Sequence, residues 1–340
     1  MRTSDFDYEL PQERIAQTPV TPRHDSRLLV LDRAADTLEH TRFWEVDRFL
    51  RPGDLLVINE TRVIPARIYA KKIPGGGKAE LLLLDKRDEV TWTALGGGKG
   101  LNPGRKLSIE EGPEAEIVDV LEGAKRLVRF SEPIEPYFGR VGHVPLPPYI
   151  HTELSDPERY QTVYANQPGS AAAPTAGLHF TPDLMEKLRE MGVDFARVDL
   201  HVGLDTFAPV TEDDPAEHKI HTEWCELSPE TAEKINAAKR AGGRVIAVGT
   251  TSVRTLETAA RQAGPEQVVA PFAGPTNLYI LPGFTFKAVD AMVTNFHLPR
   301  STLLMLVSAF AGRERMLATY NLAIAEKYRF FSFGDAMLIL

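Results

Sequence analysis

The chain has 340 residues, a formal net charge of −8 at pH 7, 43% hydrophobic residues and 25% charged residues. This composition is typical of soluble globular proteins and excludes the intrinsically disordered and membrane-embedded classes. The length predicts about two domains, at roughly 150 residues per domain.

The N-terminal segment, residues 1–7, lacks the apolar core of a secretory signal peptide. No stretch reaches the ~18 apolar residues that a membrane span requires. The single cysteine, Cys225, excludes a disulfide within the chain and a multi-cysteine zinc site. We expect a cytoplasmic protein that contacts no membrane and acts as a monomer.

The first predicted elements are two strands, at residues 28–31 and 55–59. From residue 66 to residue 130, short β-rich runs alternate with Gly- and Pro-rich turns, and no helical pattern lies between them. The runs are 66–73, 80–84, 90–95, 106–109, 114–121 and 126–130. This pattern predicts a small antiparallel barrel or sandwich.

Helices and strands alternate in the C-terminal half. The helix at residues 181–192 has Thr181 as N-cap, Pro182 at the first helical position and Gly192 after the last turn. Later predicted elements are a helix at 228–243, a strand at 244–248, helices at 253–261, 303–310 and 316–327, and a strand at 336–340.

The change from alternating helices and strands to consecutive strands, and back again, predicts the domain organisation. We expect an α/β catalytic domain from residues 1–60 plus 150–340 and an inserted β-barrel domain from residues 61–149. The predicted fold class is an α/β main domain with an inserted all-β barrel-like domain.

The inserted region is basic although the whole chain is acidic. Between residues 61 and 109, ten Lys and Arg residues stand against four Asp and Glu residues, a local excess of six positive charges. Such a surface binds nucleic-acid phosphates, and a solvated charged surface is the alternative. The candidate phosphate contacts are Arg62, Arg67, Lys71, Lys72, Lys99 and Arg105.

Three hydrophobic runs in the C-terminal half each end in a polar block, at residues 195–203, 245–254 and 289–299. In α/β proteins, ligands bind outside the carboxyl ends of the strands. The three endings therefore predict one polar pocket built from distant parts of the chain, which indicates an enzyme.

The block after the second run contains Gly249, Thr250, Thr251, Ser252 and Arg254. Backbone N–H groups at a helix N-terminus, three hydroxyls and a guanidinium form a site for a carboxylate or phosphate. Alternatively, Thr251 or Ser252 only caps the helix. The sequence has no Walker loop and no G-x-G-x-x-G motif after a strand, which disfavours nucleotide hydrolysis and ordinary dinucleotide binding.

Other candidate ligand contacts lie in a loop of small residues, 168–180. Small side chains allow the backbone to approach a flat ligand, so Thr175, Gly177 and His179 predict a ligand cradle. A flexible surface linker is the alternative. His201 and His297 end predicted strands, where a general acid or base is held on a rigid element, although a lone histidine there is more often structural.

A possible metal half-site contains His218, His221 and Glu223. The H-E-x-x-H order is missing, and no further ligand completes the set. We expect no metal and interpret these histidines as hydrogen-bonded structural residues.

Eight sequence blocks in the same order carry a family resemblance that covers nearly the whole chain. They are 55–67 (LLVINETRVIPAR), 142–150 (GHVPLPPYI), 160–164 (YQTVY), 172–180 (AAPTAGLHF), 200–203 (LHVG), 248–254 (VGTTSVR), 294–299 (TNFHLP) and 326–331 (EKYRFF). With these blocks the chain resembles the S-adenosylmethionine:tRNA ribosyltransferase-isomerases of queuosine biosynthesis.

The resemblance implies transfer and isomerisation of the ribosyl part of S-adenosylmethionine onto 7-aminomethyl-7-deazaguanine at the wobble position of tRNA. Epoxyqueuosine-tRNA forms, and adenine and methionine are released. S-adenosylmethionine is then a consumed substrate, no cofactor is required, and the tRNA that carries the modified base is the partner.

This reaction needs a base at the C5′ hydrogens that the sulfonium acidifies, and a proton for the departing adenine. His179, His201 and His297 are the candidates for proton transfer, and Asp290 and Glu223 are possible bases or orienting groups. The candidate substrate-binding residues are Thr175, Gly177, Gly249, Thr250, Thr251, Ser252, Arg254 and Asn295. Arg254 would hold the methionine carboxylate or a tRNA phosphate; the general acid and general base are not assigned separately.

Two other functions remain open. A tRNA-binding protein without catalysis would keep the basic insertion but would not need three polar strand ends. An S-adenosylmethionine-dependent RNA methyltransferase would bind the same donor, but the Gly-rich first loop expected of it is absent from the sequence.

Overall fold

The computed structural model describes residues 1–203 and 210–340. These residues form two compact units. The α/β unit comprises Met1–Arg62, Pro147–Gln167 and Ala173–Leu340, and the barrel unit comprises Val63–Leu146 and Pro168–Ala172. The predicted fold class, an α/β main domain with an inserted all-β barrel, is confirmed.

The strands are β1 (Arg27–Asp32), β2 (Thr37–Arg42), β3 (Leu55–Asn59), β4 (Thr61–Val63), β5 (Arg67–Ile73), β6 (Lys78–Lys86), β7 (Thr91–Gly97), β8 (Lys106–Ser108), β9 (Ala115–Val120), β10 (Lys125–Phe130), β11 (Gly142–His143), β12 (Gln167–Ser170), β13 (Asp194–Leu200), β14 (Glu223–Leu227), β15 (Val245–Val248), β16 (Phe272–Thr276), β17 (Ala291–Asn295) and β18 (Ala336–Ile339). The α-helices are α1 (Phe138–Val141), α2 (Pro182–Glu190), α3 (Pro229–Arg240), α4 (Thr250–Ala260), α5 (Thr302–Ala311) and α6 (Arg313–Ala325). The loop of small residues predicted as a ligand cradle contains a 3-10 helix, Thr175–His179.

The α/β unit is built on a mixed sheet with the strand order β16-β14-β13-β3-β15-β17-β18-β1-β2. β13, β3, β15 and β17 run parallel to one another, so their carboxyl ends lie along one edge of the sheet. β18 runs antiparallel to β17, with Ala336 opposite Asn295. The residues before Ala336 therefore reach the same edge.

Both faces of this sheet are covered. On β3, Leu55 and Val57 belong to one hydrophobic core, and Leu56 and Ile58 belong to a second core. Because successive side chains of a strand point to opposite faces, the two cores lie on opposite sides of the sheet. Helices α3 to α6 contribute to the first core and α2 to the second. This double burial explains why the central strands are continuously apolar.

Serine and threonine caps fix where the helices begin. The hydroxyl of Thr181 accepts a hydrogen bond from the Leu184 N–H at 3.4 Å, and that of Ser228 accepts from the Thr231 N–H at 3.1 Å. These bonds satisfy N–H groups that have no partner inside the helix. Among the residues described, no helix is long and apolar enough to cross a membrane.

The barrel unit contains a closed antiparallel barrel. Its six strands pair in the order β5-β6-β7-β10-β9-β8, and β8 pairs back with β5. Inward-facing residues such as Ile68, Leu81, Leu107, Ile117 and Val128 are fully buried. The short apolar runs separated by Gly and Pro turns thus form a barrel rather than a sandwich.

The sequence analysis did not predict β2 or β16, which are the two edge strands of the large sheet. The residues of β2 are nearly all exposed, so the strand lacks apolar alternation. β16 contains Gly274 and Pro275, and proline in a sheet is confined to edges and bulges. Edge strands carry the weakest hydrophobic signal because only part of their surface is buried.

Candidate active site

A pocket lies at the carboxyl edge of the parallel strands in the α/β unit. It encloses about 640 Å³ of space, including its open mouth. Six predicted site residues line it: Thr175, Gly249, Thr250, Thr251, Asn295 and His297. Val202 adds the first of the three strand endings, so all three endings, which lie far apart in the sequence, meet in one place.

Gly249 connects β15 to α4 in a conformation that favours glycine, with φ of +88°. A β-carbon at this position would lie 3.5 Å from Thr251 Oγ1 and 3.6 Å from Ala176 Cβ. These are ordinary contact distances, so the positive φ of the turn, rather than crowding, favours glycine here. Helix α4 begins at Thr250, three residues before the predicted start, so the hydroxyl-bearing residues form its first turn.

The alternative that Thr251 or Ser252 only caps this helix does not fit the hydrogen bonds. Within the described ranges, no side chain caps the N-terminus of α4. The Ser252 hydroxyl donates instead to the Val248 carbonyl at 2.9 Å. Thr251 Oγ1 is buried and has no hydrogen-bond partner among the described residues. The first turn of α4 is therefore open to a ligand.

Asn295 presents a hydrogen-bond acceptor with a fixed orientation. Its Nδ2 donates to the Phe331 carbonyl at 2.9 Å and lies 3.4 Å from His179 Nε2. A flipped amide would place an oxygen against the Phe331 carbonyl, so these contacts assign the nitrogen to that side. Asn295 Oδ1 is buried and has no partner in the part of the chain that the structure describes.

His179 lies behind Asn295 and does not line this pocket. Its Nδ1 is 2.8 Å from Ser26 Oγ, and its ring packs 5.1 Å from the Phe43 ring. Burial, aided by the charges of Arg329 and Arg23, lowers the pKa of His179 to about 3. The imidazole is therefore neutral, and the bond from Asn295 to Nε2 places its proton on Nδ1.

His297 does line the pocket, and protein contacts hold it on three sides. Its Nε2 is 2.8 Å from Thr294 Oγ1, and its backbone N–H donates to the Tyr320 hydroxyl at 3.0 Å. The Tyr8 hydroxyl donates to its carbonyl. Burial lowers the pKa of His297 to about 3, so this imidazole is also neutral at physiological pH.

Sequence comparison identifies the family to which these residues belong. The family described as queuosine biosynthesis protein matches residues 3–339. The chain belongs to this family. It is 53% identical to the S-adenosylmethionine:tRNA ribosyltransferase-isomerase of Symbiobacterium thermophilum and 52% identical to that of Moorella thermoacetica, with 100% of each chain covered.

A solved structure of the same family has a similar fold. The crystal structure of the S-adenosylmethionine tRNA ribosyltransferase from Thermotoga maritima is 42% identical and has a TM-score of 0.58. The match covers 99% of this chain and 100% of that chain. The predicted membership of the queuosine biosynthesis family, and the prediction that the chain is an enzyme, are confirmed.

Arg254 lies in the second turn of α4 and does not line the pocket that Thr250 and Thr251 line. Its Nη1 forms a buried ion pair with Glu223 Oε2, and its Nε donates to the Leu278 carbonyl at 3.1 Å. Its Nη2 is buried and has no partner among residues 1–203 and 210–340. Arg254 lines a smaller neighbouring pocket, and Leu303 lines both pockets.

Glu223 and His201 also lie outside the first pocket. Glu223 accepts a hydrogen bond from the Gly203 N–H at 2.9 Å in addition to the Arg254 pair. The His201 N–H donates to the Trp224 carbonyl at 3.0 Å. The carboxylate of Glu223 therefore connects the end of β13 to α4, which fits an orienting group better than an exposed base.

Asp290 precedes β17 and lies at the opposite end of that strand from Asn295. Its carboxylate contacts Lys239 Nζ at 2.7 Å and accepts from the Val245 N–H at 2.7 Å. The structure thus places this candidate base away from the other site residues. Gly177 lies behind the pocket wall, where a β-carbon would overlap the Tyr164 hydroxyl.

The predicted tRNA contacts fall in both units. Arg62 falls in the α/β unit and pairs with Glu158. In the barrel unit, Arg67 pairs with Glu80 at 3.1 Å and Lys71 with Glu110 at 3.6 Å. Arg105 donates hydrogen bonds to the carbonyls of Gly100 and Ile73. Lys72 and Lys99 are the remaining predicted contacts and also belong to the barrel unit.

Several pocket residues were missed by the sequence analysis. Tyr149, Phe331 and Ser332 line the pocket, and the hydroxyls of Tyr149 and Ser332 share a hydrogen bond at 2.7 Å. Tyr149 and Phe331 lie in blocks that carry the family resemblance, and Ser332 follows one, which was the available signal. No group of three or more His, Cys, Asp or Glu side chains in the described residues could hold a metal ion.

Proposed function

We propose that this chain is an S-adenosylmethionine:tRNA ribosyltransferase-isomerase. It transfers and isomerises the ribosyl moiety of S-adenosylmethionine onto 7-aminomethyl-7-deazaguanine at the tRNA wobble position. Epoxyqueuosine-tRNA forms, and adenine and methionine leave. The relatives' names support the reaction class. The observation that carries the proposal is the pocket with two buried polar atoms, Thr251 Oγ1 and Asn295 Oδ1, that have no partner in the described part of the chain.

The donor offers groups that match these atoms. S-adenosylmethionine carries a carboxylate, an ammonium group and an adenine amino group. The uncapped first turn of α4 suits a carboxylate, because helix N–H groups and the helix dipole favour negative charge there. Asn295 Oδ1 accepts only, so it suits an N–H of the donor. A buried acceptor without a partner is unfavourable, which binding would relieve.

His297 is the histidine that we assign to proton transfer. It lines the pocket, and its neutral imidazole accepts the proton that leaves the donor's C5′ and then, as an imidazolium, returns it to the departing adenine. A positioned group of this kind contributes about 10²- to 10⁴-fold to the rate. His179 supports Asn295 from behind, and a direct proton-transfer role for His179 or His201 remains a prediction.

Arg254 and Glu223 form the second polar element of the proposal. Arg254 Nη2 is buried and has no partner among the described residues, which supports binding of an anion in the smaller pocket. The anion is a tRNA phosphate if the methionine carboxylate lies at the first turn of α4, and that carboxylate itself if it does not. Glu223 holds the guanidinium in place through its ion pair. In this proposal S-adenosylmethionine is consumed, and the reaction requires no further cofactor.

The test uses S-adenosylmethionine labelled separately in the adenine and in the methyl group, with tRNA that carries 7-aminomethyl-7-deazaguanine. We expect labelled adenine and labelled methionine in equal amounts, with one modified nucleotide per adenine released. Methylated RNA would favour the methyltransferase alternative, and bound tRNA without product would favour a binding protein. The matched control is the same tRNA with guanine at the wobble position, which lacks the accepting amine.

A further inference from the structure

The barrel unit has a cleft in its wall where one strand changes partners. β6 pairs along β5 from Arg67 to Lys71. On the other side of β5, β11 pairs with Arg67 and Ile68, whereas β8 pairs with residues 71 to 73. The neighbouring strand therefore changes across Tyr69 and Ala70. A cleft of about 1400 Å³, including its open mouth, opens at this fork, with Tyr69, Ala70, Ser108, Val141 and His143 in its lining.

An aromatic surface forms one part of the cleft. Ile68 and Ala70 are buried, and the alternation along the strand turns Tyr69 outwards, where it is 51% exposed. The Tyr69 ring lies 5.0 Å from the exposed His143 ring, at an angle of 58°. A large aromatic side chain with this exposure contributes little to the core, so the fold alone does not explain its position.

Charged side chains form the other part. Lys71 lies directly opposite Lys78 on β6, and like charges at opposed positions of a sheet destabilise it. Arg140 adds a third cation, and Glu110 and Glu111 are the acidic residues of the lining. Glu110 is 3.6 Å from Lys71, but both side chains are largely exposed, so this pair contributes little and can be displaced.

We propose that this cleft binds one unpaired nucleotide of an RNA. The base stacks on the Tyr69 ring, with the inclined His143 ring beside it, and the adjacent phosphate lies between Lys71 and Lys78. The proposal rests on the proposed function for the presence of RNA, and it adds a binding site whose aromatic residues belong to none of the candidate contacts predicted from the sequence. A phosphate between the opposed lysines would remove their repulsion.

The chemistry of the cleft favours a single-stranded nucleotide over other occupants. Stacking requires a base with a free face, which a paired and stacked duplex does not offer. Proteins that bind single strands combine aromatic platforms with cations that follow the backbone, and small barrels often carry such sites. An acidic peptide would use the lysines but would not require the exposed tyrosine.

The experiment measures binding of the full chain to a fluorescently labelled RNA stem-loop with a seven-nucleotide loop by fluorescence anisotropy. Tyr69→Ala should raise the Kd about 5- to 140-fold, because it removes the stacking surface. Tyr69→Phe retains the ring and should bind within twofold of the wild type. For a blunt RNA duplex of the same length, Tyr69→Ala should have no effect.

The lysines are tested by the dependence of the Kd on salt. The double variant Lys71→Ala/Lys78→Ala should reduce the slope of log Kd against log salt by about 0.7 for each phosphate that the protein no longer neutralises. The control is Lys106→Ala/Arg129→Ala, which removes two exposed charges of the same unit outside the cleft and should change the slope less. Thermal unfolding of the free Lys78→Ala variant should occur at the same or a higher temperature than in the wild type, because one like-charge pair is removed.

The outcomes separate this proposal from the proposed function. Unchanged binding of the stem-loop by Tyr69→Ala, with wild-type release of adenine, would overturn the cleft site and leave the reaction standing. If Tyr69→Ala weakened binding of the stem-loop and of the duplex equally, stacking of an unpaired base on Tyr69 would also be overturned. If the wild type binds the stem-loop through Tyr69 but releases no adenine from S-adenosylmethionine, the cleft stands and the reaction falls.

Discussion

The pocket of the α/β unit and the cleft of the barrel unit use opposite physical means to hold a ligand. The pocket contains one neutral histidine, His297, and buried hydrogen-bonding atoms that have no partner among the described residues. The cleft contains exposed lysines and an exposed aromatic ring. Buried polar atoms discriminate strongly between ligands, because a ligand that leaves one of them without a hydrogen bond binds less favourably. Exposed charges instead contribute an electrostatic attraction that dissolved salt weakens. The two sites should therefore respond to different perturbations.

The largest expected effect comes from breaking the buried ion pair beside the pocket. Arg254→Ala leaves the Glu223 carboxylate buried without its partner, which should lower the free energy of unfolding by about 3–5 kcal/mol. The double variant Arg254→Met/Glu223→Gln should recover most of this loss, because no lone charge remains. Chemical denaturation gives the stability, and titration with methionine gives the affinity.

If Arg254 binds the donor's carboxylate, the double variant stays stable but binds methionine at least about tenfold more weakly. Recovery of both properties would contradict its role as an anion site. Unchanged methionine binding with weaker tRNA binding would assign Arg254 to a phosphate instead.

The next effect is on the rate of the chemical step. His297→Asn should lower kcat by about a hundredfold or more, with the KM for S-adenosylmethionine changed only a few-fold, because the lost group acts in proton transfer. His151→Ala, an exposed histidine elsewhere in the chain, is the matched control and should keep wild-type kcat. A folded His297→Asn enzyme with normal kcat between pH 6 and 9 would show that His297 is not the proton-transfer group.

A smaller effect tests the acceptor that Asn295 presents. Asn295→Ala should weaken donor binding by about 1–3 kcal/mol, because an N–H of the donor loses its partner. Separate titrations with adenine and with methionine identify which part of the donor supplies that N–H. His179→Ala should give a similar loss, and the double variant should lose little more, because both residues fix one amide. Additive losses would mean that His179 acts independently of Asn295.

The smallest effect is expected from the predicted basic contacts. Replacing Lys71, Lys72, Lys99 and Arg105 with alanine should raise the KM for tRNA and flatten its dependence on salt, since each exposed contact contributes little by itself. The KM for S-adenosylmethionine should stay constant across the same salt range. If both KM values change together, the comparison between a salt-insensitive pocket and a salt-sensitive cleft fails.

The pocket residues at the strand ends could be predicted because the local sequence is enough to show where an apolar strand ends. Gly249, Asn295 and His297 each lie at or just after the end of a buried apolar strand. Parallel strands bring their carboxyl ends together whatever the intervening sequence. The same logic could not place Asp290, which lies just before β17 rather than at its end. A shift of five residues along one strand moves a side chain from one edge of the sheet to the other.

Other parts of the site depend on contacts between distant parts of the chain, which the hydrophobic periodicity of the sequence does not reveal. Arg254 was expected to hold the same anion as the hydroxyls of the preceding turn, but it pairs with Glu223 and lines a neighbouring pocket. Phe331 and Ser332 reach the pocket only because β18 runs antiparallel to β17. The orientation of the Asn295 amide depends on Phe331 and His179, which lie 36 and 116 residues away in the chain.

The position of β18 between β17 and β1 has a consequence for how the chain assembles. β1 and β2 lie near the start of the sequence, and in the strand order they join the rest of the sheet through β18, at residues Ala336–Ile339. During synthesis on the ribosome, about three hundred further residues are therefore added before β18, the neighbour of β1, is available for pairing. Contacts between such distant segments close late and slowly. A chain that is truncated shortly before β18 would have an unpaired strand edge in its sheet, and such an edge favours aggregation.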